Sequence, residues 1–140
     1  MARPRILDTN VLINHWRRLD TKNRTPSEIR VHAGKLIEFE GTKLIVSPVL
    51  IEFLVGAKTS EDLELYKVYL EPFEVLDKGE IPRQDWEEAK RLAQWIRKHR
   101  GRKLGDCLIE AIAKRFNGDI ITGDPDFKWR ILPQQDSGNK

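Results

Sequence analysis

Short apolar runs alternate along the chain with longer segments whose apolar residues recur every three to four positions. The short runs predict β-strands, and the longer segments predict amphipathic helices. Polar stretches rich in Gly, Pro, Asn and Asp separate them and predict turns. The predicted strands are 5–8, 43–47, 73–76, 119–122 and 129–132, and the predicted helices are 10–18, 27–40, 49–57, 60–71, 82–99 and 104–118.

Residues typical of helix ends mark several of these boundaries. Ser27 is the expected N-cap of the second helix, and Ser47-Pro48 predicts the start of the third. Gly118 is expected to end the last helix. In the helix at 82–99, Trp86 begins an apolar stripe that should face the core.

The alternation of strands with helices predicts an α/β fold. Consecutive parallel strands need crossover connections, so a mainly parallel sheet of four to five strands with helices on both faces is expected. This is a three-layer α/β/α sandwich. We expect one domain over residues 1–132, followed by a polar tail at 133–140.

Composition narrows the class of protein. The single cysteine, Cys107, excludes an internal disulfide, fits a reducing compartment and is expected to be a packed thiol. Neither a membrane-spanning stretch nor an N-terminal leader is evident, so a cytoplasmic protein is expected. Zinc-binding Cys/His spacings and glycine-rich nucleotide-binding motifs are also absent. The three histidines show no spacing typical of a shared site, and surface positions are expected for them.

The net charge of +3 is unevenly distributed. Residues 90–103 carry seven Lys or Arg and no acid. One interpretation is a solvated helix end, because cations favour a helix C-terminus. The other is a surface that binds phosphates. Charge alone leaves both open.

Four acids are candidates for a shared site. Two follow strands at the edge where a parallel sheet binds ligands, and two lie on helices. Asp8 follows the first strand and Asp124 follows the fourth, and ligands bind outside the carboxyl ends of such strands. Glu52 stands alone in the apolar run VLIEFLV, and Asp106 lies near the start of an apolar helix. Each has an ordinary explanation: Asp8, Asp106 and Asp124 could cap helices, and Glu52 could pair with a Lys or Arg.

Taken together, the four acids predict a metal site. Two carboxylates about 4 Å apart repel by about 4 kcal/mol at an effective dielectric constant near 20, so a cluster needs a cation or protons. Oxygen ligands without His or Cys favour Mg²⁺ or Mn²⁺, ions that bridge protein acids to phosphate oxygens. A basic rim would then suit a polyanion, and the residues expected to bind its phosphates are Arg97, Lys98, Arg100, Arg102 and Lys103.

Three stretches occur along the chain in the order ILDTNVLI, SPVLIEFLVGA and GDCLIEAIAKRFNGDIITGDPDF. Together they resemble PIN domains, and VapC-type toxins of bacterial toxin–antitoxin pairs in particular. The resemblance implies a metal-dependent endoribonuclease whose acidic site is formed by Asp8, Glu52, Asp106 and Asp124. It further implies that Asp126 is an additional acid and that Asn10 and Thr122 orient the acids. A homodimer and a small VapB-type antitoxin that blocks the site are also implied.

Three alternatives remain at this stage. One is a PIN-domain nuclease that processes RNA outside a toxin–antitoxin pair. Another is an aspartyl-phosphate protein with Asp8 or Asp77 as acceptor, although Asn10 stands where the haloacid-type motif has a second acid. The last is a module of the same fold that binds nucleic acid without cleaving it.

Overall fold

The computed structural model of the chain describes residues 2–19, 25–94 and 103–122. Within these ranges the chain forms four strands and six helices. The predicted fifth strand at 129–132 and the polar tail at 133–140 lie outside them. The strands are β1 (Arg5–Leu7), β2 (Leu44–Ile45), β3 (Glu74–Val75) and β4 (Asp119–Ile121), and the helices are α1 (Thr9–Arg18), α2 (Pro26–Glu40), α3 (Ser47–Val55), α4 (Ser60–Leu70), α5 (Arg83–Ala93) and α6 (Leu104–Arg115).

The four strands form one parallel sheet in the order β3-β2-β1-β4. Ile6 of β1 pairs with Leu44 of β2 on one side and with Ile120 of β4 on the other. The predicted parallel α/β fold is therefore confirmed. β2 and β3 are each only two residues long, shorter than the apolar runs that predicted them.

The strand order distributes the helices. Crossovers between parallel strands are almost always right-handed. The connections from β1 to β2 and from β2 to β3 therefore place α1–α4 on one face of the sheet. The return connection from β3 to β4 runs in the opposite direction and places α5 and α6 on the other face. Contacts agree with this arrangement: α2 packs on α4, α1 on α3, and α5 on α6. α3 also touches α6. α3 directly follows β2, so it begins at the carboxyl edge of the sheet, and α6, which runs back toward the start of β4, begins at the same edge.

The start of α2 corrects one predicted cap. The N-cap is Thr25, whose Oγ1 accepts a hydrogen bond from the backbone N–H of Glu28 at 3.2 Å. Pro26 occupies the first helical position, where its missing N–H costs nothing. The prediction of Ser27 as the cap was wrong because the Thr-Pro pair starts the helix two residues earlier.

The end of α6 corrects another boundary. The helix ends at Arg115, and the left-handed residue beyond it is Asn117, with φ of 54°, rather than Gly118. Gly118 has a different reason to be glycine. A Cβ there would lie 2.9 Å from Cδ1 of Ile6, so the absent side chain lets the chain enter β4 close against β1.

Two groups of side chains form the interior. The larger lies against the sheet and includes an aromatic cluster of Trp16, Phe53, Tyr66 and Tyr69. Burial raises the pKa of the Tyr69 hydroxyl. The smaller lies between α5 and α6 and contains Ala89, Leu92, Cys107, Leu108 and Ala111.

Predictions about three single residues can now be compared with the structure. Cys107 is a packed thiol, as expected. Trp86 is 45% exposed, so the buried apolar stripe of α5 begins at Ala89 instead. His15 is half-buried, with Nδ1 2.6 Å from the Tyr69 hydroxyl, rather than a surface residue. None of the helices in the described ranges is long and apolar enough to cross a bilayer.

Candidate active site at the carboxyl edge of the sheet

Three of the four predicted acids line one pocket of about 540 Å³ at the carboxyl edge of the sheet. They come from three distant parts of the chain: Asp8 at the end of β1, Glu52 on α3, and Asp106 on α6. Asn10 and Lys103 also line the pocket. The remaining wall is formed by Thr9 and by three apolar side chains, Ile13, Ile51 and Val55.

Asp8 is almost completely buried, with 2% of its surface exposed. It occupies the N-cap position of α1, yet its side chain makes no capping hydrogen bond to that helix, which contradicts the cap interpretation. Its Oδ2 instead accepts a hydrogen bond of 2.7 Å from the Thr122 hydroxyl, just past β4. Two adjacent strands thus fix the orientation of this carboxylate.

Glu52 has a hydroxyl as its partner rather than a cation. Its Oε1 accepts a hydrogen bond of 2.6 Å from the Thr9 hydroxyl. Throughout the described ranges, no Lys or Arg makes a salt bridge with it, so the ion-pair interpretation is wrong for this part of the chain. The side chain is half-buried beside the core residue Val49, whereas Val55, three residues further along α3, is 77% exposed.

The first turn of α6 receives the Glu52 carboxylate. A Cβ on Gly105 would lie only 2.8 Å from Cδ of Glu52, closer than atoms of real side chains approach. The absent side chain at Gly105 therefore lets the carboxylate lie against the backbone next to Asp106. The start of a helix favours negative charge because its N–H groups point outward.

Asp106 is both a helix-start residue and a pocket residue. Its Oδ2 accepts a hydrogen bond of 3.0 Å from the backbone N–H of Lys103, which agrees with the cap interpretation of this acid. Its side chain also lines the pocket that Asp8 and Glu52 share. The structural role and the predicted role in the acidic site are therefore compatible.

A buried pair anchors α3. Asp77, 4% exposed at the end of β3, accepts hydrogen bonds from the backbone N–H of Ser47 at 2.8 Å and from its hydroxyl at 2.5 Å. β3 lies at one end of the strand order, and both Asp77 oxygens are engaged by Ser47. The structure therefore gives Asp77 a structural role and argues against its use as a phosphate acceptor.

Sequence reasoning missed two residues that hold the Glu52 carboxylate in place, Thr9 and Gly105. Thr9 and Gly105 are next to predicted acids, which is the signal that could have found them. The bond between Ser47 and Asp77 spans 30 positions and had no sequence signal beyond the predicted helix start.

The described acids have the chemistry of a hard-metal site, but they do not form a closed coordination sphere. Within residues 2–19, 25–94 and 103–122, no three His, Cys, Asp or Glu side chains are close enough together to hold an ion. Three carboxylates nevertheless line one open pocket, and oxygen ligands of this kind suit Mg²⁺ or Mn²⁺. The chemistry of these donors therefore suits such an ion, while their spacing in this structure does not bring three of them around one point.

The remaining predicted site residues lie outside the described ranges. They are the fourth acid, the additional acid and most of the basic rim. Lys103 is the member of the basic rim that is described, and it lines the acidic pocket. The residues outside the described ranges are Asp124, Asp126, Arg97, Lys98, Arg100 and Arg102.

The described ranges thus form an α/β fold, a four-stranded parallel sheet flanked by helices, with three acids gathered at its carboxyl edge. The family model of the PIN domain matches residues 5–129, and the chain belongs to the PIN domain family. PIN domains are generally nucleases and usually bind divalent metals. No curated protein matches the chain.

Proposed function

We propose that the protein is a Mg²⁺- or Mn²⁺-dependent endoribonuclease that hydrolyses RNA phosphodiester bonds at this pocket. The observation that carries the proposal is that acids from β1, α3 and α6 line a single pocket beside a lysine. Converging carboxylates repel the phosphates of a bound nucleic acid, so they have a use only where a cation joins them. This argues against the alternative of a module that only binds nucleic acid.

In this proposal Asp8, Glu52 and Asp106 hold the metal together with Asp124. When bound, the ion supplies positive charge opposite the oxygens of the scissile phosphate and makes water a stronger nucleophile near neutral pH. Membership of the PIN family and the oxygen-only donor set support this assignment. The additional acid Asp126 is proposed to assist at the same edge.

The chain's own residues have separate roles in the proposed reaction. The hydroxyls of Thr122 and Thr9 orient the carboxylates of Asp8 and Glu52 through bonds of 2.7 and 2.6 Å. Asn10 is proposed to assist in this orientation from the pocket wall. Lys103 attracts the RNA backbone to the pocket, and we propose that Arg97, Lys98, Arg100 and Arg102 extend this basic surface.

Cleavage of labelled RNA tests the proposal directly. We expect cleavage with Mn²⁺ or Mg²⁺, none with EDTA, and a loss of roughly a hundredfold or more in Asp8→Asn and Asp106→Asn, as expected when a ligand of a catalytic metal is removed. Asp62→Asn is the matched control, since Asp62 lies in the first turn of α4 and does not line the pocket. Equal rates with EDTA or in the pocket variants would contradict the proposal.

We further propose that the protein is a VapC-type toxin, active in the cytoplasm as a homodimer and inhibited by a VapB-type antitoxin. The ordered resemblance of three stretches supports the subtype. Large apolar side chains on the surface near the pocket, Ile51 at 57%, Val55 at 77% and Leu104 at 69% exposed, support burial in a dimer.

Induced expression in a bacterial host tests the toxin role. We expect growth arrest that Asp8→Asn abolishes and that the product of a neighbouring small reading frame relieves. Light scattering should give the mass of two chains. RNA cleavage without growth arrest would favour the alternative of a PIN-domain nuclease in RNA processing.

A further inference from the structure

A second cavity of about 460 Å³ lies between α1 and α2, beside the end of β4. We call it the α1–α2 groove. It is separate from the acidic pocket, and Arg18, Lys35, Phe39 and Glu40 are among its lining residues. The proposed nuclease site leaves this groove without a role.

Two cations line the groove and face solvent. Arg18 and Lys35 are exposed, and neither makes a salt bridge with any residue of the described ranges. Arg18 ends α1, where the helix dipole favours a cation, but Lys35 lies five residues before the end of α2. Glu40 is the acid among the residues that line the groove, which leaves one net positive charge from these three side chains.

An aromatic ring stands beside these cations. Phe39 is 85% exposed, although removal of such a ring from water is favourable. Leu36 and Val11 continue the apolar lining toward the core. Cations next to an exposed aromatic ring match the phosphate and the base of a single-stranded nucleotide, because every base has a face that can stack.

α1 connects the groove to the acidic pocket. The helix starts next to Asp8 and ends at Arg18, about 14 Å away at 1.5 Å per residue. Thr122 lines the groove and donates its hydrogen bond to Asp8, which lines the acidic pocket. A bound strand can therefore pass from one cavity to the other within a few nucleotides.

The groove has a rigid wall. His15 lines it, and its Nδ1 lies 2.6 Å from the hydroxyl of Tyr69, which is completely buried in the core. A fixed wall lowers the entropy cost of binding a ligand.

We propose that the α1–α2 groove is a second RNA subsite, which binds one nucleotide of the single-stranded substrate a few positions from the scissile phosphate. Arg18 and Lys35 bind its phosphate, and Phe39 stacks on its base. The assignment rests on the proposed nuclease function for its place along the substrate, but binding can be measured without cleavage.

The test measures binding of a fluorescent oligouridylate to the full chain in EDTA, where the proposed reaction is silent, over a range of salt concentrations. Arg18→Gln/Lys35→Gln should weaken binding about tenfold and lower the salt slope by about 0.7 for each phosphate that the variant no longer neutralises. Phe39→Ala should weaken binding by about tenfold without changing the salt slope. Glu40→Gln should tighten binding, because it removes a negative charge from the groove.

Lys43→Gln/Lys67→Gln is the matched control. It removes the same charge at exposed positions that do not line the groove. Equal weakening in this control, or unchanged binding in Arg18→Gln/Lys35→Gln and Phe39→Ala, would overturn the proposal and favour a protein ligand for the groove. Measurement of both binding and Mn²⁺-dependent cleavage in Asp8→Asn separates the two proposals. This variant should lose cleavage and keep the binding that the groove provides.

Discussion

Gly105 determines how closely the acid of one helix can approach the start of another. Its missing side chain leaves the space that the Glu52 carboxylate occupies, and the hydroxyl of Thr9, at the start of α1, donates a hydrogen bond to that carboxylate. At this scale the sequence identified Asp8, Glu52 and Asp106, because acids beside apolar strands and helices are conspicuous. It did not identify Thr9 and Gly105, the supports of Glu52, since a Thr or Gly next to an acid is common in sequences.

Gly105→Ala should alter the site without unfolding the protein. Alanine favours a helix by about 1 kcal/mol over glycine, so the helix itself gains. The new Cβ, however, would displace the Glu52 carboxylate. We expect metal-dependent cleavage to fall at least about tenfold, as for loss of a residue that supports metal ligands, while the protein remains folded by circular dichroism.

Gly34→Ala is the control for this change. Gly34 lies inside α2, and a Cβ there would have nothing within 4 Å. It should stabilise the protein by about 0.5–1 kcal/mol and leave cleavage unchanged. Equal cleavage by wild type and Gly105→Ala would contradict the role given to the close approach.

α3 carries Glu52, and a buried pair fixes where this helix begins. The predicted helix start at Ser47-Pro48 was right because proline is pre-organised for the first turn. The acceptor that completes this start, Asp77, comes from the end of β3, and such a partner depends on tertiary contact. The error at Ser27 has a local cause instead, since Thr25 two residues earlier offers the same kind of hydroxyl cap.

Asp77→Ala should destabilise the protein by about 1–3 kcal/mol, because the buried N–H of Ser47 loses its acceptor. It should also reduce cleavage by shifting α3. Ser47→Ala removes only the hydroxyl bond and should cost about 1 kcal/mol. Urea unfolding measures both variants, and a smaller loss of stability in Asp77→Ala than in Ser47→Ala would contradict this account.

The Glu88 carboxylate links α5 to α6, and its negative charge contributes to stability. Arg91 on the same helix, together with Lys114 of α6, holds the pKa of Glu88 below its ordinary value of 4.5. A lowered folded-state pKa contributes stability above pH 4.5, and that contribution is lost as the pH falls through the folded value.

Glu88→Gln should therefore be less stable than wild type at pH 7, by at most about 1 kcal/mol because its partners are largely exposed. The difference should vanish in acid. Glu87→Gln, which breaks a pair with Lys90 within α5, is the control and should cost less. Urea unfolding of the wild type and both variants, at pH 7 and in acid, measures these differences in stability. A loss of stability in Glu88→Gln that persists in acid would contradict the assignment.

The order of the strands brings the residues of the acidic pocket together at one edge of the sheet. Because β1 lies between β2 and β4, the end of β1 meets the residues that follow β4, and the starts of α3 and α6 meet at the same edge. The alternation of elements predicts a parallel sheet, and the carboxyl-edge rule predicts where its acids point. The sequence could not define the geometry of the pocket, because that depends on α3 touching α6 across the edge.

The most direct test of the metal site is the melting temperature with and without Mn²⁺. At a concentration about 100-fold above its Kd, a bound ion adds about 2.7 kcal/mol, which raises the melting temperature of a chain of this size by roughly 5–10 °C. We expect this rise in the wild type and in Asp62→Asn, and none in Asp106→Asn. No rise at saturating Mn²⁺, or an equal rise in Asp106→Asn, would contradict a metal site formed by these acids.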